Sequence, residues 1–161
     1  MPDHVLERRV WLARTRSEVF EFFADPRNLP LVNPPGAAFR WLEPPPARLS
    51  AGAVLDFSVR IMGVRSRWRV MIREFDAPYR FVDAQLCGPF ARWEHRHRFL
   101  EGPGDRAEQV GTWIDDRVTY RLPLGPLGEL AHTLAGRRQI TRLFDLREGR
   151  IRELLGDAPP R

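Results

Sequence analysis

The sequence contains no lysine, because all 26 of its basic residues are arginine. This absence excludes Schiff-base chemistry, a lysine nucleophile and the lysine of a phosphate-binding loop. The chain also has no glycine-rich nucleotide fingerprint and no nucleophile elbow. The sequence therefore predicts a protein that uses no cofactor.

Cysteine is nearly absent as well. The single Cys87 permits no internal disulfide and has no companion thiols for a zinc site, so a reducing compartment is expected. No run approaches the ~20 apolar residues of a membrane span. The first residues, MPDHVLERRV, carry charges where a signal peptide would be apolar. These features predict a soluble, cytoplasmic protein.

The length and composition are those of one domain. A chain of 161 residues with 43% apolar composition can bury a sizeable core, and nothing in residues 1–161 suggests a linker or a second domain. The net charge of +5 would suit an anionic partner. Charge alone does not identify such a partner, since a surface of mixed charges gives the same total.

The first third of the chain predicts a strand followed by two short helices. HVLERRVWLAR alternates as a strand does. Thr15 and Glu18 then form a capping box that opens a helix over SEVFEFFAD, and Asp25-Pro26 ends it. A second short helical turn is predicted around RNLPLV.

The rest of the chain predicts antiparallel strands and then a long helix. Alternating segments with turn residues between them are VLDFSVRIM, VRSRWRVMIREF, RFVDAQLC, GPFARWEHRHRF and AEQVGTWIDDRVTY. From Leu127 to Leu155 the apolar residues recur at spacings of three and four, which is typical of an amphipathic helix. A bend is expected near Gly136.

Two predicted turns set the register around the histidines in GPFARWEHRHRF. A two-residue turn at Gly88-Pro89 would place Ala84 opposite Trp93 and Val82 opposite His95. A turn near 102–105 would place His95 opposite Thr112. Both registers put the apolar side chains of the successive strands on one side of a single sheet.

Three segments, in this order of elements, resemble the START and birch-allergen (SRPBCC) superfamily, and within it the bacterial polyketide cyclase/dehydrase-like and ligand-binding branch. The segments are SEVFEFFADPRNLPLVNPP, FVDAQLCGPFARWEHRHRF and GTWIDDRVTYRLPLGPLGELA. The resemblance spans nearly the whole chain. It implies an α+β helix-grip fold, in which a curved antiparallel sheet wraps around a long carboxy-terminal helix. It also implies an elongated, mostly apolar cavity between sheet and helix.

Binding of a small hydrophobic or aromatic, lipid- or polyketide-like molecule in that cavity is the function that the resemblance implies. Such pockets carry only a few polar groups among apolar ones. Strand alternation and helix periodicity supply the candidate ligand-binding residues. They are Phe57, Val59, Trp68, Val70, Ala84, Leu86, Trp93, His95, His97, Thr112, Ile114, Asp116, Val118, Leu130 and Leu134.

His95 and His97 admit three interpretations. Two histidines at alternate strand positions can chelate a metal ion. The predicted register makes a third ligand hard to find, since Asp116 would lie about 13 Å along the strand from the partner of His95. Glu108 is then the one carboxylate within reach, so no metal site is predicted.

The second interpretation makes His95 a general acid or base, with Trp93 as a packing platform. The resemblance supplies the reaction, which is cofactor-independent cyclisation or dehydration of a polyketide-like compound. The third makes both histidines half-polar wall residues that bond across the sheet and orient a ligand's oxygen. Asp116 is a carboxylate on an otherwise apolar face, so it either accepts local hydrogen bonds or orients a ligand.

The outer face of the sheet suggests an alternative function, the binding of nucleic acid or an anionic surface. The arginines predicted there, around Trp113, are Arg65, Arg67, Arg69, Arg73, Arg92, Arg96, Arg98, Arg117 and Arg121. Four carboxylates predicted on the same face dilute that charge: Asp56, Asp83, Glu94 and Asp115. An ordinary solvated surface of mixed charge is therefore favoured.

Overall fold

The computed structural model describes residues 2–61, 63–104, 109–126, 128 and 136–156. Its strands are β1 (His4–Leu12), β2 (Arg40–Trp41), β3 (Val54–Ile61), β4 (Val64–Asp76), β5 (Arg80–Cys87), β6 (Arg92–Pro103) and β7 (Val110–Arg121). Its α-helices are α1 (Arg16–Ala24), α2 (Leu29–Val32) and α3 (Arg137–Leu155), with 3₁₀ turns at Pro26–Asn28 and Pro35–Ala37.

The described strands form one antiparallel sheet in the order β1-β7-β6-β5-β4-β3-β2. Short helices follow the first strand and a long helix ends the described chain, so the predicted α+β helix-grip architecture is confirmed. None of the described helices is long and apolar enough to cross a membrane.

The capping box predicted for α1 is present. The Thr15 hydroxyl accepts a bond from the backbone N–H of Glu18 at 3.3 Å, and the Glu18 carboxylate accepts the N–H of Thr15 at 2.9 Å. Asp25 caps the helix end, as predicted. The apolar face of α1 packs on the sheet, where the rings of Phe20 and Phe99 lie 5.3 Å apart.

Helix α3 is amphipathic, and its periodicity explains how it seats on the sheet. The side chains buried on one side are Ile140, Phe144, Ile151 and Leu155. The amino-terminal part of the predicted helix, including the candidate residues Leu130 and Leu134, lies outside the described residues. The expected bend stays a prediction.

The predicted register between β5 and β6 is wrong by one residue. Ala84 pairs with Glu94, not with Trp93, and Asp83 pairs with His95. The chain turns later than a two-residue turn would, because the Gln85 carboxamide bonds the backbone of Phe90: its Nε2 donates to the carbonyl at 2.6 Å. A slip of one residue inverts every side chain of a strand.

The consequence for β5 is that its two faces exchange roles. Asp83, predicted on the outer arginine face, shares the inner face with His95. Ala84 and Leu86, predicted to line the cavity, lie on the opposite face instead, and Leu86 is 53% exposed. Phe81 takes their place inside, with its ring 4.3 Å from that of His97.

The predicted pairing between β6 and β7 is also displaced, but by six residues. The ladder continues through Pro103, which pairs with Val110, so His95 lies opposite Val118 and not opposite Thr112. An even displacement keeps each side chain on its predicted face. It brings Asp116 directly opposite His97, which overturns the predicted separation of about 13 Å.

Candidate functional site

A cavity of about 120 Å³ lies between the inner face of the sheet, α3 and the segment around α1 and α2. Most of its wall is apolar. The first helices contribute Phe23, Leu29 and Val32, and α3 contributes Leu143 and Phe144. An adjoining hollow of about 390 Å³ shares Trp68, Trp93 and Leu143 with it.

The structure brings part of the predicted site together. The predicted residues that line the cavity are Phe57, Val59, Trp68, Val70, Trp93, His95 and His97. Those that are buried but lie beyond its wall are Thr112, Ile114, Asp116 and Val118. The Thr112 hydroxyl, for example, donates to the backbone carbonyl of Arg14 at 2.8 Å, which is a structural contact.

One end of the cavity is polar, and two neighbouring strands supply carboxylates to it. Asp83 on β5 places Oδ2 3.4 Å from Nε2 of His97 and 3.9 Å from Nδ1 of His95. Asp116 on β7 places Oδ1 2.7 Å from Nδ1 of His97 and 3.4 Å from Nε2 of His95. Each carboxylate thus faces one nitrogen of both rings.

Aromatic rings enclose the two imidazoles. The ring centroids of His95 and His97 lie 3.8 Å apart. Phe81 stacks on His97, and Phe144 meets His95 edge-on at 5.6 Å. Phe23 stands 6.0 Å from His97. This apolar surround strengthens every electrostatic interaction in the cluster.

The pKa values of the two histidines move in opposite directions. Burial lowers the pKa of His95, and the charge of His97 lowers it further. Burial also disfavours charged His97, but the charges of Asp116 and Asp83 outweigh it and raise the pKa of His97. Burial would raise the pKa of Asp116, yet His97 and His95 hold it well below its usual range. A proton in this cluster therefore favours His97.

Arg147 adds a cation to the same wall from α3. Burial lowers its pKa, while the charges of Asp116 and Asp83 raise it. An arginine stays charged in a protein in either case. Its Nε is buried and, among the described residues, has no hydrogen-bond partner, so it is able to donate to a molecule in the cavity.

Sequence reasoning missed Asp83 and Arg147. Asp83 was placed outside by the wrong register, and the bonding of Gln85 that sets the true one has no sequence signature. Arg147 lies on α3 among exposed arginines, and its position near the buried face of Phe144 was the available signal. The sequence predicted no metal site because a third ligand was not expected near the two histidines. That reason is wrong, because Asp83 faces both of them.

The outer arginines are largely paired with carboxylates. Asp56 lies within ion-pair distance of Arg67 and Arg69. Asp3 similarly pairs with Arg92 and Arg121. These contacts reduce the free positive charge that a nucleic acid would meet.

Comparisons with known proteins agree with the architecture. The family model described as polyketide cyclase / dehydrase and lipid transport matches residues 12–145. Among solved structures, a START superfamily protein from Mycobacterium smegmatis is 19% identical, with a TM-score of 0.66 over 94% of this chain and 99% of that one. No curated protein matches the chain.

Two further solved structures widen the range of sources. Protein TTHA0849 from Thermus thermophilus is 21% identical, with a TM-score of 0.66 over 95% of this chain and 99% of that one. Ginseng major latex-like protein 151 from Panax ginseng is 14% identical, with a TM-score of 0.55 over 87% of this chain and 96% of that one. At these identities the likeness is one of fold.

Proposed function

Since the chain belongs to the polyketide cyclase / dehydrase and lipid transport family, we propose that it binds a small aromatic or hydrophobic molecule carrying oxygen. The occupant lies in the cavity between the sheet and α3. The observation that carries this proposal is the combination of a mostly apolar wall with a buried polar end at His95 and His97. Pockets of this composition orient a ligand by a few polar contacts.

The volume sets the size of the buried part of the ligand. A cavity of about 120 Å³ is close to the ~150 Å³ of an engineered apolar cavity that holds benzene. One ring or a short aliphatic segment therefore fits, and the adjoining hollow of about 390 Å³ can take the remainder of a larger molecule.

The polar end favours a ligand with an oxygen at one edge. Arg147 can donate to a carbonyl or phenolate oxygen, and the carboxylate of Asp83 can accept from a hydroxyl. A purely apolar ligand would leave Nε of Arg147 without a partner among the described residues, which costs free energy.

The test compares 2-naphthol with naphthalene by calorimetry and thermal shift. We expect 2-naphthol to bind about tenfold more tightly, since one added hydrogen bond to a charged group contributes about 1.5 kcal/mol. Val59→Phe fills the cavity and should abolish binding, whereas Val64→Phe, at a position that is 65% exposed, should not.

Folding of Val59→Phe is checked by its melting temperature without ligand, because overpacking alone costs roughly 1–3 kcal/mol. Equal binding of 2-naphthol by folded Val59→Phe and by the wild type would place the ligand elsewhere and contradict the proposal.

A second candidate function is cofactor-independent cyclisation or dehydration with His95 as the base. The observation that favours it is the burial of His95 at the cavity wall. Burial lowers the pKa of His95 and so keeps an imidazole lone pair available there. His95 would take a proton from a carbon next to a carbonyl, and the oxygen would carry the negative charge beside Arg147. That carbon would then attack a second carbonyl of the same molecule, and protonated His95 would return its proton to the alkoxide that forms. His95 would next take a second proton from the attacking carbon and pass it to the hydroxyl, which would leave as water while a carbon–carbon double bond forms.

His95→Gln tests this candidate with a linear poly-β-ketone as substrate. Turnover should fall at least ~100-fold while 2-naphthol binding persists. Unchanged turnover would remove His95 from the chemistry and leave binding alone.

A further inference from the structure

Three side chains with metal-ligating atoms, Asp83, His95 and His97, lie close together at one end of the cavity. Each residue offers one ligand atom, and these three atoms all lie within 4.8 Å of one another. Oδ2 of Asp83 faces Nδ1 of His95 and Nε2 of His97. We propose that these three side chains form a binding site for a divalent transition-metal ion of the zinc type. The proposal does not depend on the binding of an organic ligand.

The shortest distance in this cluster lies in the range of a ligand set. Bonds of about 2.0–2.2 Å at tetrahedral angles put ligand atoms roughly 3.3–3.6 Å apart. Oδ2 of Asp83 lies 3.4 Å from Nε2 of His97 and 3.9 Å from Nδ1 of His95. Rotation of the side chains has to close the remaining distance when an ion binds. Two imidazoles and one carboxylate are a donor set that suits zinc and its neighbours in the first transition series.

Asp116 lies behind the two histidines, in the position of a carboxylate that orients metal-bound imidazoles. Its Oδ1 lies 2.7 Å from Nδ1 of His97 and 3.4 Å from Nε2 of His95, which are the ring nitrogens that Asp83 does not face. A metal-bound histidine usually donates its other N–H to a carboxylate, which fixes the tautomer and the ring orientation. In the metal-bound site, one carboxylate would accept from both rings and direct their lone pairs toward Asp83.

The hydrogen bonding of this cluster is incomplete without a further partner. Although the separations are short, Nε2 of His95, Nδ1 of His97 and Oδ1 of Asp116 are buried and have no aligned hydrogen-bond partner among the described residues. Ligation would turn the imidazole rings, which are tilted by 39° to each other, and bring these N–H groups into line with Asp116. The competing occupant is a proton on His97, which a metal ion must displace.

The site has room for a further ligand. Asp83, His95 and His97 all line the cavity, so three protein ligands leave a fourth position that faces it. A carbonyl, enol or phenolate oxygen in the cavity can occupy that position and be polarised by the ion. The lone pair of His95 cannot bind an ion and serve as a free base at once, so the metal role and the role of His95 as a base exclude each other.

The experiment uses the full chain, freed of metal by a chelator, with Zn²⁺ added in a calorimeter. We expect one equivalent to bind. Co²⁺ should give the visible absorption of a four- or five-coordinate ion rather than the faint colour of the hydrated ion. Asp83→Asn should weaken Zn²⁺ more than about 100-fold, and Asp116→Asn about 10–100-fold, as for a residue that orients the ligands.

Asp115→Asn is the matched control, because it makes the same change on the neighbouring residue, which pairs outward with Arg9. The Asp115→Asn variant should bind Zn²⁺ with the same affinity as the wild type. Circular dichroism and melting confirm that each variant is folded, and Asp83, whose side chain is 17% exposed, tolerates the change best. Absence of stoichiometric Zn²⁺ binding, or equal affinities for Asp83→Asn and Asp115→Asn, would overturn the proposal.

Discussion

The two histidines of β6 obtain their chemistry from carboxylates on the strands at either side. Asp83 comes from β5 and Asp116 from β7, and each faces both rings. Alternation along β6 was enough to place His95 and His97 on the inner face. It could not place the carboxylates, because their distance to the rings depends on the register of two hairpins.

Asp56, a buried carboxylate on the outer side of the sheet, differs from Asp83 and Asp116 because its ion pair has only a structural role. Asp56 is 5% exposed and accepts a bond from Nε of Arg67 at 2.9 Å. The bond from Arg67 lowers the pKa of Asp56. A lowered pKa means that the folded protein binds the proton more weakly than the unfolded chain does, so ionisation of Asp56 stabilises the fold.

This contribution gives a pH dependence with a definite sign. It is fully present above the ordinary carboxyl pKa of about 3.9 and is lost as pH falls through the lower folded-state value. We expect Asp56→Asn to lower the free energy of unfolding by about 1–3 kcal/mol at pH 7 and by less at pH 3. Urea denaturation at both pH values measures it.

Asp145→Asn is the control for that measurement, because it removes an exposed carboxylate paired with Arg8. Its effect should be under about 1 kcal/mol at both pH values. A deficit for Asp56→Asn that is as large at pH 3 as at pH 7 would show that the ion pair is not its source.

At the scale of single elements, features set by residues close in sequence were predicted correctly. Features set by contacts between residues further apart were not. The capping box of α1 joins residues three apart, so Thr15 and Glu18 identify the helix start without knowledge of the rest of the fold. The β5–β6 register depends on Gln85 reaching Phe90 across the turn. The glycine and proline of this turn gave no indication of the contact between Gln85 and Phe90.

Gln85 is therefore the residue to change if the register is to be tested. Its carboxamide bonds both backbone groups of Phe90 and lies against Gly88, where a Cβ would come within 2.3 Å of Oε1 of Gln85. Loss of this contact leaves two backbone groups of the turn without partners. Such unpaired backbone groups destabilise the turn.

We expect Gln85→Ala to lower the free energy of unfolding by about 1–3 kcal/mol and to speed hydrogen exchange at the Phe90 amide. Gln139→Ala, on the exposed side of α3, is the matched control and should change neither. Protection of the Phe90 amide equal to that of the wild type would mean that Gln85 does not set the turn.

At the scale of the molecule, the fold class was predicted from the order of elements together with the three segments that resemble the family, and the structure confirms it. Those features were not sufficient for the cavity, because its volume depends on how far α3 stands from the sheet and on large side chains such as Phe144 and Trp93. The exposed surface follows a simpler pattern. Arginines pair there with carboxylates such as Asp3 and Asp56, which neutralises part of the positive charge of the surface.

The central claim is that the cavity between sheet and helix binds an oxygen-bearing ring, and that the polar end of the cavity holds the oxygen. A crystal structure of the protein grown with 2-naphthol tests this most directly. The account predicts the rings between Val59 and Leu143, with the hydroxyl within hydrogen-bond distance of Asp83, His97 or Arg147. A collapsed cavity, or naphthol bound only on the outer surface at saturating concentration, would contradict it.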